Sequence, residues 1–263
     1  MDGVLKIFKF ELHNLSRSKW VILYAVFYFI ITYGLFQFES SQSRVVVSLM
    51  NTTLLFIPLV SVVFGTMYLY HSREFIELLL SQPIQRTTIF WGLYMGITIP
   101  LSLGFVLGVG IPSVAYGMNK LEDVKVLGGL LTMGVFLTSI FVAFAFLLSI
   151  RHDDKMKGLG FSILVWFFFG VLYDALILTG SFVFADYPLE KAMLFLNFLN
   201  PIDIARTFLL LQLDISALMG YTGAVFSKFF GGWMGMTTAL GVLVMWTLVP
   251  LLVALRIFRS KDF

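Results

Sequence analysis

Few side chains in this 263-residue chain could build a metal centre or a nucleophile. There is no cysteine and there are three histidines, His13, His71 and His152, far apart in sequence and each set among charged residues. The missing thiols exclude disulfides and thiolate metal sites. The histidines read as solvated interface positions and not as ligands. No GxxxxGK[ST] loop is present, so ATP is not held in the P-loop manner. No His/Glu pair has zinc spacing and no serine sits in a GxSxG elbow. The chain therefore reads as binding no cofactor or metal of its own and as not being an enzyme.

The chemistry left is recognition. Its first candidate is His71 to Thr87, HSREFIELLLSQPIQRT, a polar amphipathic island between two long apolar runs. His71 or Ser72 is placed to cap a helix, and Glu74 falls in the first turn, where the helix dipole favours an anion. Phe75, Ile76, Leu78, Leu79 and Leu80 give it a broad apolar side, Pro83 ends it and Arg86 marks the return to the membrane. It is either an interfacial loop that only connects two spans or a surface helix that docks into a soluble partner.

Two further polar positions stand out. Asp174 is the one acidic residue well inside an apolar run, where a charge costs about 2.5–3.5 kcal/mol on insertion scales. It should face the bundle interior, either as a structural hydrogen-bonding group or as part of a path or switch. In the segment 185–232, Asn200 can cap a helix with Pro201 at its first position. Asp203, Arg206, Gln212 and Asp214 stay polar beside an apolar side built from Ile202, Ala205 and Leu209. One or two amphipathic helices at the outer membrane surface, or dipping into it, are expected there. They form a structural rim or a docking platform, with Asn200, Pro201, Asp203 and Arg206 as the docking candidates.

The elements that position these residues follow from composition. Hydrophobic residues make up 59% of the chain, charged residues 13%, and the mean hydropathy is +0.93. Soluble domains carry about 25% charge, so this is a polytopic membrane protein, all-α by necessity. A formal charge of +3 is too small to imply nucleic acid. Six spans are expected, at about 20–38, 48–70, 88–117, 126–150, 158–184 and 233–255. Residues 2–19 read as an amphipathic surface helix, with Val4, Leu5, Phe8, Leu12 and Leu15 on one face and Lys6, Lys9, His13 and Arg17 on the other, its basic side toward the lipid bilayer's headgroups. No small-residue cleavage site follows the first span, which reads as a retained anchor. The pairs Gly92/Gly96 and Gly104/Gly108 have the spacing that lets helices approach closely.

Six spans put both termini on one side. That side's segments hold twelve basic residues against six on the other, which places the termini and the His71–Thr87 stretch in the cytoplasm.

The run EFIELLLSQPIQR, Glu74 to Arg86, resembles the cytoplasmic coupling region of ABC-2 type permeases, and the N-terminal amphipathic helix is similar to that class's connecting helix. LVWFFFGVLYD (Leu164 to Asp174), LNPIDIAR (Leu199 to Arg206) and ALRIFR (Ala254 to Arg259) resemble, more narrowly, the permease of the ABC transporter that serves nitrous oxide reductase maturation. The resemblance covers nearly the whole chain. It implies a single permease domain over 1–263, in the cell inner membrane. It implies a homodimer with two cytoplasmic ABC ATPase subunits that bind ATP and Mg, and a periplasmic copper-site assembly protein at the outer face. It makes His71, Arg73, Glu74, Phe75, Leu78, Leu79, Pro83 and Arg86 the residues that couple to the ATPase. Two rival readings are another ABC-2 exporter, for a drug, a polysaccharide or a gliding-related cargo, and an ATP-independent scaffold or secondary carrier. The second sits less well with one intramembrane charge and no clear inverted repeat.

Overall fold

A computed structural model describes residues 19–39, 41–116, 118, 121–184, 190–212 and 233–261. The helix expected over 2–19, apart from Lys19, and the segments 185–189 and 213–232 lie outside the described residues. In an apolar run the backbone must satisfy its own polar groups, and helices do so locally. The described elements are α1 (Lys19–Phe38), α2 (Gln42–His71), the short α3 (Arg73–Leu80), α4 (Arg86–Ala115), α5 (Leu121–Arg151) and α6 (Lys155–Phe167). α6 continues through a π-helical turn, Phe168–Leu172, into α7 (Tyr173–Val183). Then come α8 (Glu190–Phe198), α9 (Pro201–Gln212) and α10 (Trp233–Ser260). Among the described residues, six helical stretches are long and apolar enough to cross a membrane, α6 and α7 counting as one.

Several helices outrun their apolar stretches. α2 starts at Gln42 and not near Ser48, α5 at Leu121 and not at Val126, and α10 reaches Ser260 and not Leu255. Hydropathy marks the hydrocarbon core, whereas helical bonding continues through the interface on either side. The polar stretch shows the reverse. The helix occupies only Arg73–Leu80 of the expected 71–87, because His71 still belongs to α2 and the chain turns ahead of Pro83.

α5 is the axis of the bundle. α2, α4, α10 and α9 pack around it, and α6 packs mainly on α2. Phe141 and Phe146 of α5 are fully buried, and Phe146 meets Phe90 of α4 edge-on. Contact with α2 is close at Gly65, where a Cβ would stand 2.7 Å from the Cβ of Ala145. α1 lies on α4 along Gly104 and Gly108, so the second of the two glycine pairs makes a helix contact. A Cβ on Gly108 would come within 2.6 Å of the Ala25 carbonyl oxygen. Pro58, inside α2, lacks an N–H to bond the carbonyl four residues earlier. Beside this break Trp166 of α6 donates its indole N–H to the Leu55 carbonyl at 3.1 Å.

The α8–α9 hairpin is the part of the segment 185–232 that positions a site. It is inserted into the bundle and does not rest on the surface. α9 is buried at Pro201–Ala205 and Thr207–Leu210 and touches α5, α10 and the π turn. Trp246 of α10 donates to the Phe198 carbonyl at 3.0 Å, Tyr173 to the Leu196 carbonyl at 2.5 Å and Gln212 to the Lys125 carbonyl at 2.6 Å.

Candidate functional site

Among the described residues, charged side chains pair in two clusters. The first gathers α3, the α5–α6 turn and the segment after α10. α3 buries Ile76 and Leu79 against the bundle, half-buries Phe75, and turns Glu74, Glu77 and Leu78 outward. Pro83 is exposed just beyond it. Ser72 occupies the N-cap position without a side-chain cap bond, and the His71 ring bonds its own Met67 carbonyl through Nδ1 at 2.7 Å.

The two arginines that flank α3 face other elements. Arg73 lies over the Tyr70 ring, 4.7 Å from its centroid, and donates to the His152 carbonyl at 3.0 Å. It also comes within 3.6 Å of the Asp153 carboxylate. Arg86 donates to the carbonyls of Arg259 and Lys261, at 3.0 and 2.5 Å. Lys261 in turn donates to the Ile150 carbonyl at 2.5 Å and to Asp153 at 2.6 Å. That ammonium is the main reason the Asp153 carboxyl is held below the ordinary aspartate range.

The second cluster joins the π turn to α9. Asn200 accepts from the backbone N–H of Ile202 at 3.0 Å, the expected N-cap bond, and donates to the Phe169 carbonyl and to Asp203, both at 2.9 Å. Arg206 donates from one nitrogen to Asp203 and to Asp174, both at 3.0 Å. Asp203 is almost fully buried. Burial raises its carboxyl first and the nearby Asp174 charge adds to this, while Arg206 and Asn200 oppose them; the result is a pKa pushed up to about 7. The cluster therefore holds one guanidinium and two carboxyl groups, the more buried of which favours its protonated form more than an ordinary aspartate does. Among the described residues no group of three or more His, Asp or Glu could hold a metal ion.

Residues 5–263 match the family described as ABC-2 family transporter protein. This chain belongs to that ABC-2 family. The chain is 25% identical to the probable ABC transporter permease protein NosY of Stutzerimonas stutzeri, over 99% of both chains. It is 24% identical to the probable ABC transporter permease protein NosY of Pseudomonas aeruginosa, over 84% of this chain and 86% of that one.

In this ABC-2 permease the sequence-derived positions separate by direction. Of the coupling candidates, His71, Glu74, Leu78 and Pro83 face outward, Phe75 and Leu79 hold α3 to the bundle, and Arg73 and Arg86 bind neighbouring elements. Leu79, only 7% exposed, is not a contact surface. At the other cluster Asn200, Pro201 and Asp203 are buried in their own chain, which leaves them no face for a docking partner; Arg206 is partly exposed and joins Asp203 to Asp174. Their caps and charges satisfy the permease's own interior. The sequence reading missed the π turn, Tyr70, Asp153 and Lys261. Arg151 to Lys157, RHDDKMK, is a run of charged residues in which nothing names a partner for Asp153 108 residues away.

Proposed function

We propose that this chain is the inner-membrane permease subunit of an ABC transporter, working as a homodimer with two cytoplasmic ATPase subunits and serving maturation of the copper–sulfur site of nitrous oxide reductase. A periplasmic copper-site assembly protein is the outer partner in this reading. α3 is its coupling helix. The observation that carries it is the placement of α3: an amphipathic helix anchored by Ile76 and Leu79, clamped at both ends by Arg73 and Arg86, with Glu74 and Leu78 presented outward. ATP and Mg are bound by the partner. Closure of the ATPase pair pushes on that outward face, and the anchors pass the push to α2 and α4, which flank α3 in the chain. This is a two-state element biased by a ligand bound elsewhere. Four things support the reading: the excess of basic residues on the segments at this end, the absence of a phosphate loop, the similarity to the two NosY chains, and the motifs around Asp174, Asp203 and Arg259.

The specific assignment is tested by deleting the gene in a denitrifying host and reading the reductase's copper-site absorption spectrum. The reading expects reductase that is made and exported but lacks its copper–sulfur centre, restored by the wild-type chain. A fully assembled centre in the deletion strain would remove the assignment to reductase maturation and leave the permease class standing.

A further inference from the structure

The segment that follows the last span is joined to the coupling region by a specific set of bonds. Arg86, the first residue of α4, donates to the carbonyls of Arg259 and Lys261, so its guanidinium holds the end of α10 by the backbone. Lys261 reaches the other way, to the Ile150 carbonyl and the Asp153 carboxylate. Its side chain is 17% exposed, a low value for a lysine beyond the end of a helix. Arg73, which opens α3, approaches the same Asp153. Three sequence-distant pieces therefore meet at one place: both flanks of α3, the α5–α6 turn and the tail of α10. Underneath, Phe90 of α4 packs on Phe258 of α10 with ring centroids 5.6 Å apart, so the polar ties rest on an apolar contact.

An interface loop that merely connected α2 to α4 would need none of this. Backbone carbonyls at helix ends can be satisfied by water or by local turns. Here cationic side chains from other elements satisfy them instead. Charge-assisted bonds of this kind are shorter and about twice as strong as neutral ones.

We infer that residues 259–261 form a clamp that makes the last span part of the coupling unit, with Lys261 and Arg86 as positioning residues that carry the displacement of α3 to α10 and to the α5–α6 turn. The inference rests on the assignment of α3 as the coupling helix. A push on α3 then moves α2, α4, α5, α6 and α10 together.

The test uses the full chain in its transporter complex, reconstituted in vesicles, and measures ATP-driven output and ATPase rate side by side. Lys261→Met is expected to lower output per ATP hydrolysed by roughly 5- to 150-fold, the range of ordinary coupling free energies, while the ATPase stays bound. Lys261→Arg should restore most of it. The chain has no cysteine of its own, so the double variant Asp153→Cys/Lys261→Cys supplies a second, charge-free arm. It should lose output when reduced and regain it when the two thiols are bridged by a short bis-maleimide. Full output per ATP in Lys261→Met, or no recovery on bridging, would overturn the clamp. Glu74→Lys is run in parallel. If it too keeps full output, the coupling-helix reading has failed; if it loses output while Lys261→Met keeps it, only the clamp has failed.

Discussion

The guanidinium of Arg206 lies 3.0 Å from the carboxylate of Asp174, which ties α9 to the span that contains the π turn. The same nitrogen holds Asp203 at 3.0 Å, and Asn200 completes the link to the Phe169 carbonyl inside that turn. π turns recur at functional sites, and this one has a side-chain donor from another helix on one of its carbonyls. The charge inside span five is thus explained by a partner and not by solvent alone.

The unequal burial of the two carboxylates sets an order of mutational cost. Arg206→Met takes the cation from the buried Asp203, whose carboxyl then takes up a proton, and should destabilise the protein by about 1–3 kcal/mol, the cost of a buried hydrogen-bonding group left unsatisfied. Asp174→Asn keeps a hydrogen-bond acceptor for Arg206, whose charge stays paired with Asp203, and should cost less than Arg206→Met. Thermal unfolding in detergent ranks the two variants.

The raised Asp203 carboxyl makes stability depend on pH with a defined sign. The folded protein keeps a proton up to about 7 that the unfolded chain releases near ~3.9, so the contribution is full below the lower value and is lost as pH rises through the higher one. The melting temperature should fall between pH 5 and pH 8, and Asp203→Asn should remove this group's share of the fall. Asp153 acts in the opposite sense, since its folded carboxyl is depressed, and its contribution is lost only below the ordinary aspartate range. The two effects occupy different windows.

Two glycines two residues apart on α4 should respond oppositely. At Gly108 a methyl would meet the Ala25 carbonyl oxygen at 2.6 Å and the Tyr28 Cβ at 2.8 Å, neither of which is the end of a flexible side chain. Gly108→Ala should cost about 1–3 kcal/mol by overpacking the α1–α4 contact. Gly110 has nothing within 4 Å, so Gly110→Ala should be neutral or stabilise by about 0.5–1 kcal/mol through helix propensity. Equal effects at both sites would mean that α1 does not lie on α4 as described.

The spans were legible because an apolar run of that length has one way to satisfy its backbone. The N-cap at Asn200 was legible for the same kind of reason, as a local rule met locally. The direction of α3's leucines was not, because Phe75, Ile76, Leu78, Leu79 and Leu80 cover more than half the wheel and only the neighbouring helices decide which of them is buried. The π turn was hidden inside WFFFGVLYD, a uniformly apolar stretch, and the Asn200 bond that accompanies it comes from a separate helix 31 residues on. Burial of Asp203 was illegible too, since an isolated Asp-x-x-Arg reads as a solvated pair until α5, α10 and the π turn close over it.

Two substitutions on α3 separate surface from anchor. Leu79→Ala should cost about 2–5 kcal/mol of stability, as a buried leucine does. Leu78 is 58% exposed, so Leu78→Asp should leave the melting temperature within about 0.5 kcal/mol equivalent of the parent.

The central claim is that the outward face of α3 receives the work of a separate ATPase. Its most direct measurement is the amount of ATPase subunit recovered with the tagged permease from membranes, for the wild type and for Glu74→Lys/Leu78→Asp. Membrane insertion and melting temperature should be unchanged while ATPase recovery falls by at least about tenfold, as expected when a charge is reversed and an apolar anchor lost at a docking surface. Undiminished recovery, with biological output intact, would contradict the account.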